Sequence, residues 1–290
     1  MLMSVSVAMI AAVGAYLVTP AAPAAALVGP AASAARAATA ALTPTGAAAT
    51  GLGAAARLTR ALAALPLDRW VEFSIAVRNN RSGVTYRYRS SDTYETASIV
   101  KLDILAALLL SAQDAGRSLT TTERSLAERM MRASDNAAAT TLFQRVGGAS
   151  GLRAANGRLG LTATAPSSSW GLTRTTVGDQ LTLVNKALGR SGPLTAASRA
   201  YIRSLMTTVN GDQDWGVPAG ARAGETAAVK NGWLSRGTES GRWIINSVGR
   251  ITGPRTDLTV AVLSHGHSGM STGVATTERV VTLVRQYLAW

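Results

Sequence analysis

Hydrophobic and polar positions change their spacing several times along the chain. Alternation with a period of two predicts strands over residues 71–77 and 84–89, and the polar, glycine-containing stretch 79–83 predicts a hairpin between them. The run 98–110 is apolar on nearly every side, which is typical of a buried helix. A hairpin is therefore expected directly before a central buried helix.

The rest of the chain predicts helices in the middle and strands toward the C-terminus. Helical patterns cover residues 57–65, 120–165 with glycines as punctuation, 177–188, 196–209 and 276–289. Three further strands are predicted over residues 226–233, 242–250 and 258–264. Because strands lie toward both ends and helices fill the middle, the order favours an α+β fold: one five-stranded antiparallel sheet flanked by helices, with an all-helical lobe.

The N-terminal segment differs from the rest of the chain. Residues 1–35 carry no charged side chain, and an apolar core over 5–18 is followed by small residues that suit cleavage. Residues 1–36 are thus predicted to be a signal peptide or, alternatively, an uncleaved anchor, which places the protein outside the cytoplasm. Residues 37–55, rich in Ala, Gly, Thr and Pro, predict a disordered linker, and the folded domain is expected over 56–290.

Charge and composition narrow the function classes. The net charge of +13 is spread mostly as single arginines, without a basic stripe interleaved with aromatics. We therefore expect no nucleic-acid partner, only peripheral attraction to an anionic cell wall or membrane. The chain has no cysteine, which excludes disulfides, thiolate metal sites and a cysteine nucleophile. The two histidines, His265 and His267, are interpreted as surface residues of a strand end, and neither a metal nor a cofactor is expected.

Lysine is scarce in this chain: Lys101, Lys186 and Lys230 stand against 26 arginines. A buried lysine amine can lose its proton and act as a base, whereas arginine stays protonated. Lys101 follows Ser98 by three positions at the start of the buried helix, so the two side chains share a face. The free N–H groups and positive dipole at a helix start also suit a developing oxyanion. This spacing indicates a serine nucleophile; the alternative is a capping serine followed by an unrelated lysine.

Two further motifs strengthen the first. Ser134-Asp135-Asn136 lies between two helical stretches, where its polar side chains would point into a cleft. Lys230-Asn231-Gly232-Trp233 lies on a predicted strand, where the glycine allows another backbone to approach closely. Taken singly, one motif is a good helix cap and the other a good turn. Together and in this order, they use two of the three lysines and favour one common site.

The three motifs resemble those of the serine β-lactamases and penicillin-binding proteins, specifically the class A group, with Lys230-Asn231-Gly232 in place of the usual K-T-G. The resemblance covers about residues 56–290. It implies a β-lactamase-like fold, with a helical lobe shortened by the short spacing from Ser98 to Ser134. It also implies a β-lactam or peptidoglycan-peptide-like small molecule as the substrate. We expect a monomer without a cofactor.

The resemblance implies a catalytic role for three of these residues. Ser98 would attack a carbonyl and become acylated, while Lys101 accepts or relays its proton. Ser134 would pass a proton to the leaving nitrogen.

The same resemblance implies a substrate-binding role for the other motif residues. Asn136 would hold the amide side chain of the substrate, and Lys230 would supply positive charge for its carboxylate. Asn231 and Gly232 belong to the strand that binds substrate. The backbone N–H groups of Ser98 and Trp233 would form the oxyanion hole.

One departure from the family pattern bears on the reaction. The family activates its hydrolytic water with a glutamate in a loop, and the corresponding stretch 160–174 contains no acidic residue here. Glu225 is expected to lie too near the strand to replace it, and Asp179 to cap or open a helix. We therefore predict slow deacylation. Two alternatives remain: a D-alanyl-D-alanine peptidase or esterase, and a non-catalytic penicillin-binding sensor-like domain.

Overall fold

The computed structural model describes residues 53–290. The predicted signal peptide or anchor, 1–36, and residues 37–52 of the predicted linker lie outside the described residues. The first helix begins at Ala54, so the last two residues of the predicted linker already belong to a helix. Within residues 53–290, no helix combines the length and the apolarity that crossing a membrane requires.

Helices and strands follow the order that the hydrophobic pattern predicts. The α-helices of the described residues are α1 Ala54–Ala63, α2 Val100–Asp114, α3 Thr121–Arg132, α4 Asn136–Arg145, α5 Gly148–Leu159, α6 Val177–Leu188, α7 Ala196–Met206 and α8 Met270–Leu288. The strands are β1 Glu72–Asn79, β2 Thr85–Tyr88, β3 Tyr94–Glu95, β4 Arg174–Thr175, β5 Thr226–Arg236, β6 Arg242–Thr252 and β7 Asp257–His265. The three motifs therefore fall at the entry to α2, at the entry to α4 and on β5.

Five strands form one antiparallel sheet in the order β2-β1-β7-β6-β5. The predicted hairpin joins β1 to β2, with Val77 opposite Tyr86. Strand β7 lies between β1 and β6, and Ala76 pairs with Ala261 across the first of these contacts. Strands from both ends of the described chain thus meet in one sheet. The predicted α+β fold with a five-stranded antiparallel sheet is confirmed.

Both faces of the sheet are covered. Successive side chains of a strand point to opposite faces, so Ile75 and Val77 pack with α1 and α8 while Ala76 packs with the helical lobe. Helix α2 is the centre of that lobe, and 12 of its 15 residues are buried. Each large apolar side chain buried in this way stabilises the fold by roughly 1.5–3 kcal/mol. The site residues at the start of α2 are therefore held on a rigid element.

A two-stranded sheet that the sequence pattern does not reveal joins two distant segments. Strand β3, just before Ser98, pairs with β4 at the end of the loop 160–174. The backbone N–H of Thr96 adds a 2.8 Å bond to the carbonyl of Thr173. The loop is consequently tied to the chain segment that leads into the central helix.

The interpretation of His267 as a surface residue is wrong. Its side chain is buried, its Nε2 lies 2.9 Å from the Oγ of Ser264, and burial lowers its pKa to about 4. The backbone of His267 pairs with that of Trp243, and its ring lies against Gly273 of α8. His265 is partly exposed, with Nε2 3.6 Å from a carboxylate oxygen of Glu72. In residues 53–290, no group of three or more His, Cys, Asp or Glu side chains is placed to hold a metal ion.

Candidate active site

Ser98 lies in a single 3₁₀ turn, Ala97–Ile99, that leads into α2. Ala97 has a φ of 46°, a left-handed conformation that an alanine rarely adopts. Such strain persists only where the surroundings fix the backbone. The amide of Asn246 on β6 does so, because it donates to the carbonyls of Glu95 and Thr96 at 2.9 and 3.0 Å. The turn that presents Ser98 is thus anchored to the sheet.

The amine of Lys101 joins the first two motifs. Its Nζ lies 2.8 Å from the Oγ of Ser98 and 2.8 Å from the Oδ1 of Asn136. It also lies 2.5 Å from the carbonyl oxygen of Ser134 and 3.1 Å from the Oγ of Ser134. Four oxygens surround an ammonium that has only three N–H donors. In its neutral form the amine has two N–H donors and one lone pair, and that lone pair can accept the hydroxyl proton of Ser98.

Burial favours that neutral form. Burial lowers the pKa of Lys101 to about 7, and the nearby charge of Asp135 opposes the shift. Burial also holds the pKa of Lys230 well below its usual range, and the charge of Lys101 lowers it further while Asp212 opposes the shift. Both amines are fully buried, so neither is screened by solvent. A substantial fraction of Lys101 is therefore deprotonated near neutral pH.

Ser134 stands between the two amines. Its Oγ is 3.0 Å from the Nζ of Lys230 and 3.1 Å from the Nζ of Lys101. The residue has a φ of 56°, and Asp135 after it caps α4 by accepting from the N–H of Ala138 at 2.9 Å. The cap fixes the turn before α4, as the polar tripeptide predicts. A hydroxyl in this position is able to relay a proton between the two lysines.

Strand β5 passes very close to the Ser98 turn. A Cβ added at Gly232 would lie 2.7 Å from the backbone nitrogens of both Ser98 and Ile99. Only glycine permits this approach, which confirms the expectation that the glycine allows a close backbone contact. The third motif is thus brought against the first, and Trp233 lines the adjoining pocket together with Ser98.

Asn231 turns its side chain away from Ser134 and toward the segment 213–215. Its side chain is buried, and its Nδ2 donates to the carbonyls of Gln213 and Trp215 at 2.8 and 3.0 Å. Lys230, one position earlier, points to Ser134. Adjacent residues of a strand face opposite sides, which accounts for the difference. Asn231 holds the segment 213–215 against β5, and its contact with a substrate stays a prediction.

A pocket of about 540 Å³ opens beside Ser98. Three predicted site residues line it: Ser98, Asn136 and Trp233. The other lining residues, which sequence reasoning missed, are Ala97, Thr140, Phe143, Gln144, Ser168, Ser169, Trp170, Gly171, Leu172 and Leu234. Thr140 and Gln144 follow Asn136 by four and eight positions on one helix, a spacing from which their shared face was predictable.

Trp170 is the largest residue that the motifs gave no reason to select. Its ring centre lies 5.1 Å from the Nζ of Lys101, within cation–π range when that amine is charged. Its indole N–H donates to the Oγ1 of Thr140 at 3.2 Å. The loop 160–174 thus contributes an aromatic wall to the pocket.

The two acidic residues considered for deacylation are engaged elsewhere. Both carboxylate oxygens of Glu225 accept from the guanidinium of Arg285, at 2.8 and 2.9 Å. Asp179 lies in the first turn of α6, as predicted, and accepts from the backbone N–H of Ala163 and the hydroxyl of Thr164. Neither carboxylate lines the pocket of Ser98.

A family model described as the β-lactamase enzyme family matches residues 111–288, which is more than half of the chain. The chain belongs to this family. The matched range contains the second and third motifs and begins after Ser98 and Lys101, whose placement rests on the geometry given above. The resemblance to class A β-lactamases is therefore confirmed at the level of the family. This family and the observed fold are those of a β-lactamase-type hydrolase.

Curated proteins match part of the chain. "Putative lipoprotein LppW" of Mycobacterium tuberculosis is 30% identical over 169 residues, which cover 56% of this chain and 54% of that protein. The same name and values apply to the Mycobacterium bovis protein. The chain thus spans about half the length of the curated relatives that it matches.

Solved structures show the fold. A class A β-lactamase from Bacteroides cellulosilyticus has a TM-score of 0.71 at 15% identity, over 82% of this chain and 99% of that one. A class A β-lactamase from Mycobacterium abscessus has a TM-score of 0.70 at 19% identity, over 80% of this chain and 100% of that one. The acyl-enzyme complex of a PBP-A mutant with penicillin-G has a TM-score of 0.69 at 21% identity, over 81% of this chain and 96% of that one. At these identities the likeness carries the fold alone.

Proposed function

We propose that this protein is a serine hydrolase that forms an acyl-enzyme at Ser98 with β-lactams or related amides. The observation that carries the proposal is the 2.8 Å contact between the Nζ of Lys101 and the Oγ of Ser98, made by an amine whose pKa burial lowers to about 7. The convergence of all three motifs on that contact supports it. Crystallised relatives of the same fold include one captured with penicillin-G.

The proposed acylation has three steps. The neutral amine of Lys101 takes the hydroxyl proton while the Oγ of Ser98 bonds to the carbonyl carbon of the substrate. The backbone N–H groups of Ser98 and Trp233 stabilise the oxyanion. The carbon–nitrogen bond then breaks, and the departing nitrogen receives a proton through Ser134, with Lys230 beside it. The lysine proton is thereby returned, and an ester at Ser98 remains.

Release of the acyl group is proposed to be slow. Hydrolysis of the ester requires a water molecule and a base to activate it. The loop 160–174 has no acidic residue, and Trp170 fills its side of the pocket next to Lys101.

The curated relatives named as lipoproteins support a position outside the cytoplasm. The monomeric state, the lack of a cofactor and the anionic surface partner stay predictions.

Intact-protein mass spectrometry tests the proposal. The protein is mixed with penicillin-G and sampled over time, together with Ser98→Ala and the matched control Ser111→Ala, which changes an exposed serine of α2. We expect one penicillin adduct on the wild type and on Ser111→Ala, none on Ser98→Ala, and decay of the adduct over hours. A wild type that never gains mass would contradict acylation, and decay within seconds would contradict slow release.

A further inference from the structure

The pocket beside Ser98 has no charged lining residue. The thirteen residues that line it, all in the described part of the chain, are apolar, aromatic, hydroxyl or amide residues. The polar groups present are therefore neutral hydrogen-bonding groups.

The apolar part of the pocket is built from three separate elements. Phe143 comes from α4, Trp170 and Leu172 from the loop 160–174, and Trp233 and Leu234 from β5. The indole of Trp170 is held by its bond to Thr140. The ring of Trp233 packs edge-on against Trp215, with ring centres 6.1 Å apart. Because their positions are fixed before a ligand arrives, these rings offer a preformed aromatic surface.

Two arginines that follow lining residues in the sequence are each paired with a carboxylate. Arg145, which follows Gln144, lies 3.3 Å from a carboxylate oxygen of Glu123. Arg236, two positions after Leu234, lies 3.2 Å from a carboxylate oxygen of Glu95. A charged group entering the pocket would therefore find no free partner of opposite sign among the residues that line it.

We propose that this pocket binds the acyl substituent of the substrate and selects neutral aromatic or apolar groups over charged ones. The inference rests on the proposed function, because it defines the substrate class of the same site. An aromatic ring gains from stacking and from burial of its surface against the rings of the pocket. A charged substituent loses hydration without gaining a partner, which is a larger cost than an uncharged group pays. Amide substrates with a free amine or carboxylate on the acyl side are thereby disfavoured.

Three penicillins that share one nucleus test the selection. Penicillin-G carries a neutral phenylacetyl group, ampicillin adds an ammonium to it, and carbenicillin adds a carboxylate. Acylation rates are measured by intact mass in one slightly acidic buffer, so that ionisation of Lys101 affects all three equally. We expect penicillin-G to react about tenfold faster than either charged analogue, since an unpaired buried charge is costly. Equal rates, or a faster reaction of a charged analogue, would overturn the proposal.

A pair of opposite substitutions at Gln144 makes the test specific to this pocket. Gln144 is exposed on α4, so Gln144→Glu and Gln144→Lys are both compatible with the fold. We expect Gln144→Glu to raise the rate of ampicillin relative to penicillin-G by about fivefold, because it supplies the missing opposite charge. By the same reasoning, Gln144→Lys should favour carbenicillin. If neither variant changes the relative rates of the three substrates, the acyl substituent does not bind here.

A non-covalent measurement separates this inference from the proposed function. If no penicillin acylates the wild type, the acylation proposal fails, and the pocket is then tested with Ser98→Ala. Binding of phenylacetamide and of phenylglycinamide, its positively charged analogue, is followed by tryptophan fluorescence. Tighter binding of the neutral amide supports the inference. Equal binding, or no binding of either, overturns it.

Discussion

Two lysine amines share one hydroxyl at the centre of this molecule. Lys101 and Lys230 both lie within 3.1 Å of the Oγ of Ser134, and the charge of Lys101 lowers the pKa of Lys230 beyond the effect of burial. Two buried positive charges at this separation repel each other strongly. The favourable state near neutral pH is one charged and one neutral amine. Such a state provides a base for Ser98 and a proton for the leaving nitrogen.

This pairing predicts the pH dependence of acylation. The reactive form of Lys101 is the neutral amine, so its fraction falls as the pH drops below its pKa of about 7. We expect the acylation rate to reach a plateau above that value and to fall about tenfold per pH unit well below it. Stopped-flow or quenched-flow measurement of penicillin-G acylation at a series of pH values gives the profile.

Lys101→Arg provides the control for that profile. A guanidinium keeps the positive charge but does not deprotonate in this range. We expect the variant to lose acylation by at least about a hundredfold at every pH. A wild-type rate independent of pH, or an active arginine variant, would show that Lys101 is not the base.

Only part of the residue-level picture was predictable from the sequence. The contact between Ser98 and Lys101 follows from their spacing at a helix start, which is a local property. The contact of Ser134 with Lys230 joins residues 96 positions apart and depends on the tertiary fold. Trp170 lies in a loop, where no periodicity indicates the direction of a side chain. Strand alternation turns the side chain of Asn231 away from that of Lys230 to the carbonyls of Gln213 and Trp215, and its contact with a substrate stays a prediction.

At the scale of elements, the contact between β5 and the Ser98 turn assembles the site. The two backbones approach so closely at Gly232 that no side chain fits between them. The strained turn at Ala97 is fixed from the other side by Asn246 of β6. Strands β5 and β6 thus position the nucleophile from two directions.

A methyl group at Gly232 tests this contact. We expect Gly232→Ala to slow acylation by at least about a hundredfold, because a Cβ 2.7 Å from two backbone nitrogens must displace the turn or the strand. Gly237→Ala is the matched control, since nothing lies within 4 Å of a Cβ added at that position. Acylation rates and melting temperatures of both variants provide the readout. Full activity of Gly232→Ala would contradict the described contact.

Elements in which hydrophobic residues recur at a regular spacing were predicted well. Elements that form only by pairing of strands far apart in the sequence were not. Helix α6 has the predicted bounds, because its apolar stripe is uninterrupted. Helix α8 begins at Met270, six residues before the predicted start, since Gly273 and the threonines around it obscure the helical pattern. Strands β3 and β4 have two residues each, which is too short for an alternation to be recognised. Their pairing nevertheless anchors the loop of Trp170.

At the scale of the whole molecule, the site lies between the sheet and a helical lobe whose centre contains a buried acid. Asp103, on α2 two positions after Lys101, is fully buried. Burial raises the pKa of its carboxyl to about 8, and the charge of Asp179 adds to the shift. The carboxyl is therefore neutral in the folded protein at a pH where an unfolded chain ionises it.

This difference makes the stability depend on pH. Between the pKa of about 4 in the unfolded chain and the folded value of about 8, the folded state binds more protons, so stability falls as the pH rises. Asp103→Asn keeps a neutral side chain of the same shape. We expect its free energy of unfolding, relative to that of wild type, to be greater at about pH 8 than at about pH 5 by a few kcal/mol. Its melting temperature relative to wild type should rise accordingly.

Asp114→Asn is the control for the same helix. Asp114 is exposed and paired with Arg158 at 2.6 Å, so its removal should change stability little and without this dependence on pH. Thermal unfolding of the three proteins at both pH values gives the comparison. Parallel pH profiles for wild type and Asp103→Asn would show that the acid is not held neutral.

The central claim is that Ser98 is the residue that becomes acylated, and peptide mapping of the penicillin adduct tests it most directly. Trypsin cuts after Arg89 and Lys101, so one peptide, 90–101, contains Ser90, Ser91 and Ser98. Fragmentation of that peptide after labelling with penicillin-G distinguishes the three serines. The account predicts a single adduct on Ser98 that is absent from Lys101→Arg. An adduct on another residue would contradict it, and so would a peptide 90–101 that stays unmodified after prolonged incubation with penicillin-G.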